Sequence, residues 1–176
     1  EDVKKYLDEF LMDPRVIDIP KALRALIVRG IILNTRPKKS AEAYRKIWWE
    51  NGSPLIVLSE RLRDKVQDKT SIPVALGMRY GSMSIEKCLQ ELADKGVNEV
   101  LVFPLYPHYA MSTTETVTIK AEEVQKKKFP NMQLRVLPAF YDKPAYIRVL
   151  SKSKKEAWQE EEYEHILFSY HGVPES

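Results

Sequence analysis

Four segments of the 176-residue sequence concentrate side chains able to bind or react: Gly77-Met78-Arg79-Tyr80-Gly81, the run from Pro104 to Thr114, Pro138-Ala139-Phe140-Tyr141, and Ser169-Tyr170-His171-Gly172-Val173-Pro174. His171 is the sharpest candidate. Imidazole is largely neutral yet readily protonated near pH 7, so it can ligate a divalent metal or accept a proton. The plainer reading is a turn histidine bonded to nearby backbone; it applies with more weight to His108, and His165 is expected on the surface. Arg79-Tyr80 offers a carboxylate anchor beside a stacking ring, or an arginine paired with a helix carboxylate. Ser112, Thr113 and Thr114 read first as a helix cap, although hydroxyls at a helix N-terminus can also meet an anion.

The six glycines form neither G-x-G-x-x-G nor G-x-x-x-x-G-K, which disfavours a phosphate cradle. What remains is a wall of Tyr, Phe and Met faces with Arg79 and a few hydroxyls. Such a wall suits a large, flat, mostly apolar ligand with acidic substituents, a description a macrocycle fits.

The elements that must position these residues follow from periodicity. The first third is predicted helical over Val3 to Leu11, Leu23 to Leu33, Ala43 to Trp49 and Leu55 to Val66, with breaks at Asp13-Pro14, Arg36-Pro37 and Gly52-Ser53-Pro54. Short apolar runs of strand length follow at Val74 to Met78, Val100 to Phe103, Leu134 to Leu137 and Ile166 to Phe168. Between them lie helices over Ser84 to Lys95, closed by Gly96; Thr113 to Lys127, opened by the capping box Ser112-Thr113-Thr114-Glu115; and Pro144 to Glu160, opened by a first-turn proline. Four strands alternating with helices predict an α/β fold, a doubly wound parallel sheet of the three-layer Rossmann or flavodoxin type. Ligands of such sheets bind outside the carboxyl ends of the strands, where all four candidate segments fall.

Composition narrows the class. With 44% hydrophobic and 30% charged residues and no apolar stretch near the ~18 residues of a membrane span, the chain is a globular domain and not a transmembrane protein. Its net charge of +3 is spread among acidic residues, so nucleic acid is not an expected partner. One cysteine, Cys88, excludes a disulfide framework or a multi-cysteine metal site built from this chain alone, and is read as a small buried apolar residue. The stretch Ile19 to Leu33, apolar with cations at Lys21, Arg24 and Arg29, either packs on its own domain or forms a lip against a bilayer surface. Trp48-Trp49 are core residues or interfacial anchors.

Several segments together resemble the ferrochelatase family. Ile166 to Pro174 (ILFSYHGVP) is similar to the family signature, and Phe10 to Pro20 (FLMDPRVIDIP), Tyr44 to Leu55 (YRKIWWENGSPL), Met78 to Gly81 and Phe103 to Thr114 (FPLYPHYAMSTT) agree in order and spacing. The resemblance covers nearly all of the chain and is to the amino-terminal half of a bacterial ferrochelatase of the kind similar to the animal enzyme. It implies residues 1–176 as an incomplete amino-terminal chelatase domain, without the family's first strand and without a second domain carrying an essential glutamate.

The implied activity is insertion of ferrous iron into protoporphyrin IX to give protohaem, with the porphyrin between two similar domains and this half expected to be inactive alone. On the resemblance, His171 takes part in metal delivery and pyrrole proton removal, Arg79 and Tyr80 line the cleft, and His108, Tyr109 and Ser112 lie on a loop around the pocket. No cofactor is implied beyond the substrate Fe2+; Met111 stands where the animal enzymes have the first cysteine of a [2Fe-2S] cluster. The implied location is cytoplasmic, peripheral at the inner membrane through Ile19 to Leu33. The competing expectations are a chelatase for another metal and tetrapyrrole, and a non-catalytic flavodoxin-like binding domain.

Overall fold

A computed structural model describes residues 2–160, 163–165, 167, 169 and 172. Two apolar clusters organise it. The first is helical: α1 (Asp2–Leu11) lays Leu7 and Leu11 against Val28 and Leu33, with Val3, Tyr6, Phe10, Met12, Ile17 and Ile32 packed around them. Helix α2 (Lys21–Ile27) runs through a π-helical turn at Val28–Ile32 directly into α3 (Leu33–Ile47). The expected break at Arg36-Pro37 does not occur, and Pro37 lies inside α3. A proline and a π turn both leave nearby carbonyls without their usual donors. Two side chains add bonds to carbonyls of the same run: Asn34 Nδ2 donates to Gly30 O at 2.8 Å and Thr35 Oγ1 to Ile31 O at 3.1 Å.

The predicted lip splits into two faces on this helical run. Val28 and Leu33 are buried in the cluster, whereas Leu23, Leu26 and Ile31 are exposed. Its three cations are equally unlike. Arg24 is buried and donates to Ile17 O and Ile19 O at 2.9 and 3.3 Å, and Arg29 is exposed and paired with Asp8 at 2.9 Å.

Helix α4 (Pro54–Gln67) opens on Pro54, expected in the break before it, and buries Val57. Trp48 and Trp49 before it are exposed, Trp49 beneath the Arg61 guanidinium, so neither is a core residue. After α4 the Gln67 amide fastens the turn, donating to Thr70 O and accepting from Val74 N–H at 2.8 Å.

The second cluster is the α/β part. Helix α5 (Ile85–Asp94) is capped by Ser84, whose hydroxyl accepts from Lys87 N–H, and ends before Gly96 at φ +76°, a conformation that favours glycine. Strands β1 (Glu99–Val102) and β2 (Gln133–Val136) pair in parallel, Glu99 opposite Gln133 through Val102 opposite Val136, with α6 (Thr116–Lys128) as the crossover. Val100, Val102 and Leu134 pack on Ile85, Leu89, Ala121, Val124 and Met132. Helix α7 (Pro144–Glu160) has the bounds that the proline and periodicity predict.

Two of the four expected strands therefore pair in a ladder. Val74 to Met78 forms none among the described residues; its one β-bridge joins Met78 to Ser84, and without a neighbouring strand's N–H and C=O groups an apolar run is no ladder strand. The fourth run, Ile166 to Phe168, lies outside the described residues except Leu167. The result is a mixed α/β chain with a small parallel sheet.

The capping box also differs. The helix start is a π turn, Met111–Glu115, whose N-cap is Ala110: Thr113 and Glu115 N–H groups both reach Ala110 O, so Ser112 sits inside the turn rather than before it.

Leu89 is 2% exposed at the centre of the second cluster. Replacing it with Ala in the complete protein is expected to cost about 2–5 kcal/mol, read from urea denaturation at neutral pH. A loss under about 0.5 kcal/mol would show that this cluster is not the core of the α/β part.

Candidate functional site

The turn after α1 supplies a residue that sequence reasoning passed over. Asp13 is 4% exposed, the buried carboxylate among the described residues. Its Oδ1 accepts the Arg15 N–H at 2.9 Å, a local turn bond of the kind Asp favours. Its Oδ2 accepts from Arg79 Nη2 at 2.5 Å, from Tyr80 Oη at 3.0 Å and from Thr116 Oγ1 at 2.5 Å. Arg79 Nε closes the network on Thr116, at 2.7 Å from Oγ1 and 3.1 Å from the carbonyl.

The electrostatics follow. Burial presses the Asp13 carboxyl towards its neutral form, but bonds from Thr116, the Arg15 N–H and Tyr80, with the Arg79 charge, outweigh it and hold its pKa below the usual value. Burial, opposed by Thr116 and Arg79 and reinforced by the Asp13 carboxylate, pushes the Tyr80 phenol up to about 12. The Arg79 guanidinium lies 4.5 Å from the centre of the Tyr80 ring, and that ring meets Phe10 edge-on at 5.4 Å and Tyr6 at 6.2 Å. Arg79 is thus paired with a carboxylate of this chain, one in the turn after α1 and not on a helix.

The loops after β1 and β2 form the neighbouring wall. Phe140 and Tyr141 N–H groups both donate to Pro107 O, at 2.9 and 3.1 Å, which fixes one loop on the other. His108 stacks on Tyr141 at 5.2 Å, and Phe103 meets Phe140 edge-on at 5.2 Å. Thr113 and Thr114 hydroxyls turn back onto Ala110 O and His108 O. Ser112 is half-buried in the π turn, and Met111 is exposed beside it. Tyr109 is 60% exposed, and its hydroxyl donates to Glu115 Oε2 at 2.5 Å. The other Glu115 oxygen accepts from Arg15 Nε at 3.1 Å. One turn, residues 13–15, thereby grips both Arg79-Tyr80 and the loop carrying Tyr109.

The ferrochelatase family model matches residues 1–176. The chain belongs to the ferrochelatase family. It is 50% identical over 175 residues to a ferrochelatase of Ectopseudomonas mendocina, 47% to one of Pseudomonas fluorescens biotype C and 49% to one of Pseudomonas syringae pv. tomato. Each match covers 99% of this chain and 51% of the relative, so the chain spans about half the length of the curated relatives it matches.

Of the ferrochelatase residues predicted from sequence, the structure gathers Arg79, Tyr80, Tyr109 and Ser112 around the 13–15 turn and the start of α6, and places His108 on the Tyr141 side of the wall. His171 lies outside the described residues. Among the described residues no group of three or more His, Cys, Asp or Glu gathers as a metal site, and no helix is long and apolar enough to cross a membrane. Cys88 is half-buried, and burial, with Glu91 nearby, pushes its thiol up to about 11, so it is no thiolate at neutral pH. Asp13, Arg15, Glu115 and Thr116 were missed. Asp13 carried one signal, an acid next to Pro in a turn, which read only as a helix break.

Because the Asp13 pKa is lowered on folding, its contribution to stability is present above the unfolded carboxylate range near ~4 and is lost as pH falls through the folded value. Asp13→Asn in the complete protein is expected to cost about 3 kcal/mol at pH 7 and to flatten the acid limb of stability below about pH 4. Parent and variant with the same acid limb would exclude Asp13 as the titrating hub.

Proposed function

We propose that the complete protein inserts ferrous iron into protoporphyrin IX to make protohaem, and that this half supplies one wall of the porphyrin cleft. The match to the ferrochelatase family along the whole chain carries the reading. The aromatic strand-end wall supports it, since ring faces of Tyr80, His108 and Tyr109 suit a flat macrocycle. In this reading Val74 to Met78 and Ile166 to Phe168 join β1 and β2 as strands of a doubly wound sheet, and the cleft's second wall comes from the remainder of the relatives' length.

Metallation exchanges two pyrrole N–H protons for Fe2+, so the site needs a proton acceptor and a place that strips water from the ion. His171 is assigned both the metal contact and the proton. Arg79 and Tyr80 shape the wall beside the ring. Ser112, in the turn that leads into α6, is assigned a hydroxyl contact with a propionate. Met111 offers a thioether where the animal enzymes have a cluster cysteine, so no [2Fe-2S] ligand is assigned to that position. The assay is anaerobic iron insertion followed by porphyrin absorbance, run beside other divalent metals and tetrapyrroles. His171→Ala should lower turnover ~100- to 10,000-fold with porphyrin affinity little changed. Full activity in that variant would remove His171 from the chemistry.

The same reading places the protein against a membrane surface through Leu23, Leu26 and Ile31, the exposed residues of the apolar run. Changing all three to Asp should reduce sedimentation with phosphatidylglycerol vesicles at least ~10-fold, given ~0.8 kcal/mol for each buried methylene. Unchanged sedimentation would leave the run without a membrane role.

A further inference from the structure

We propose that Glu115, backed by Arg15, is a positioning residue that holds the Tyr109 ring as a fixed face of the porphyrin-binding wall; this rests on the ferrochelatase reading. Glu115 uses one carboxylate oxygen for each partner, Oε2 for the Tyr109 hydroxyl at 2.5 Å and Oε1 for Arg15 Nε at 3.1 Å. It closes the π turn Met111–Glu115, and π turns cluster at functional sites because the extra residue re-aims side chains. Tyr109 needs such a tie. Its ring is 60% exposed, so packing alone does not restrict it, and an untied ring would lose rotamer freedom only when ligand arrived.

The anchor is itself anchored. The Arg15 backbone N–H is bonded to Asp13, which holds Arg79 and Tyr80, so the two halves of the wall share one turn. The Tyr109 hydroxyl is occupied as a donor, and Tyr109 meets the ligand with its face and not with a free O–H. The bond to the Glu115 carboxylate, then burial and that negative charge, raises the Tyr109 phenol, with Arg15 opposing. The same bond and Arg15 lower the Glu115 carboxyl against its own desolvation, so the tie holds throughout the neutral range.

The test uses the complete protein with Glu115→Ala, Glu115→Gln and Tyr109→Phe, in iron insertion and in titration of tyrosinate absorbance, Tyr109→Phe identifying the Tyr109 signal. Glu115→Ala and Tyr109→Phe should each raise the porphyrin KM about ten-fold with kcat within about two-fold, a loss of pre-organised binding alone. Glu115→Gln keeps one acceptor oxygen, enough for the Tyr109 hydroxyl but not for Arg15 as well, and its KM should fall between those of the parent and Glu115→Ala. Tyr109 should ionise above the ordinary tyrosine value of ~10 in the parent and near it in Glu115→Ala. An unchanged KM in Glu115→Ala, an unchanged Tyr109 titration, or a KM in Glu115→Gln as high as in Glu115→Ala would each overturn the proposal. A parent unable to metallate any porphyrin would instead refute the proposed function and the ligand part of this inference, while the titration still judges the tie.

Discussion

A carboxylate taken out of water must be met by charge and hydrogen bonds, and Asp13 meets that demand by pulling three distant parts of the chain together. Arg79, Tyr80 and Thr116 are 66, 67 and 103 residues away along the sequence, yet all converge on Oδ2. The desolvation is offset by the full Arg79 charge and donated bonds; removing one partner leaves the rest unpaired in a medium that penalises them. The orientation of Arg79 and Tyr80 is therefore set by the helical cluster through Asp13 and by α6 through Thr116. The site inherits the rigidity of both apolar clusters.

Local signals made part of this legible in the sequence. Apolar spacing closed by Gly96 gave α5, the first-turn proline gave α7, and the short apolar runs gave β1 and β2. What failed depended on partners far away in sequence. Val74 to Met78 is strand-like in composition but meets no paired neighbour among the described residues. Ser112-Thr113-Thr114-Glu115 satisfies the capping-box pattern, but the chain turns two residues earlier at Ala110, and Glu115 spends its carboxylate on Arg15 and Tyr109. Asp13 was opaque for the same reason: nothing near it in sequence announces three donors. The candidate ring faces were readable as types, and the groups that orient them were not.

That division explains the chemical character of the wall. Many of its polar groups are already bonded within the protein: the Tyr80 hydroxyl to Asp13, the Tyr109 hydroxyl to Glu115, the Thr113 and Thr114 hydroxyls to loop carbonyls, and the Arg79 fork to Asp13 and Thr116. Covering such a surface with a flat apolar ligand strips few hydrogen bonds from water, because those bonds are already made within the protein. The same arrangement withholds proton chemistry from the wall. With the Tyr80 phenol pushed up to about 12 and the Asp13 carboxyl held below its usual range, neither group exchanges a proton near neutral pH. In the proposed function, proton removal then falls to a group other than these two, the role assigned to His171.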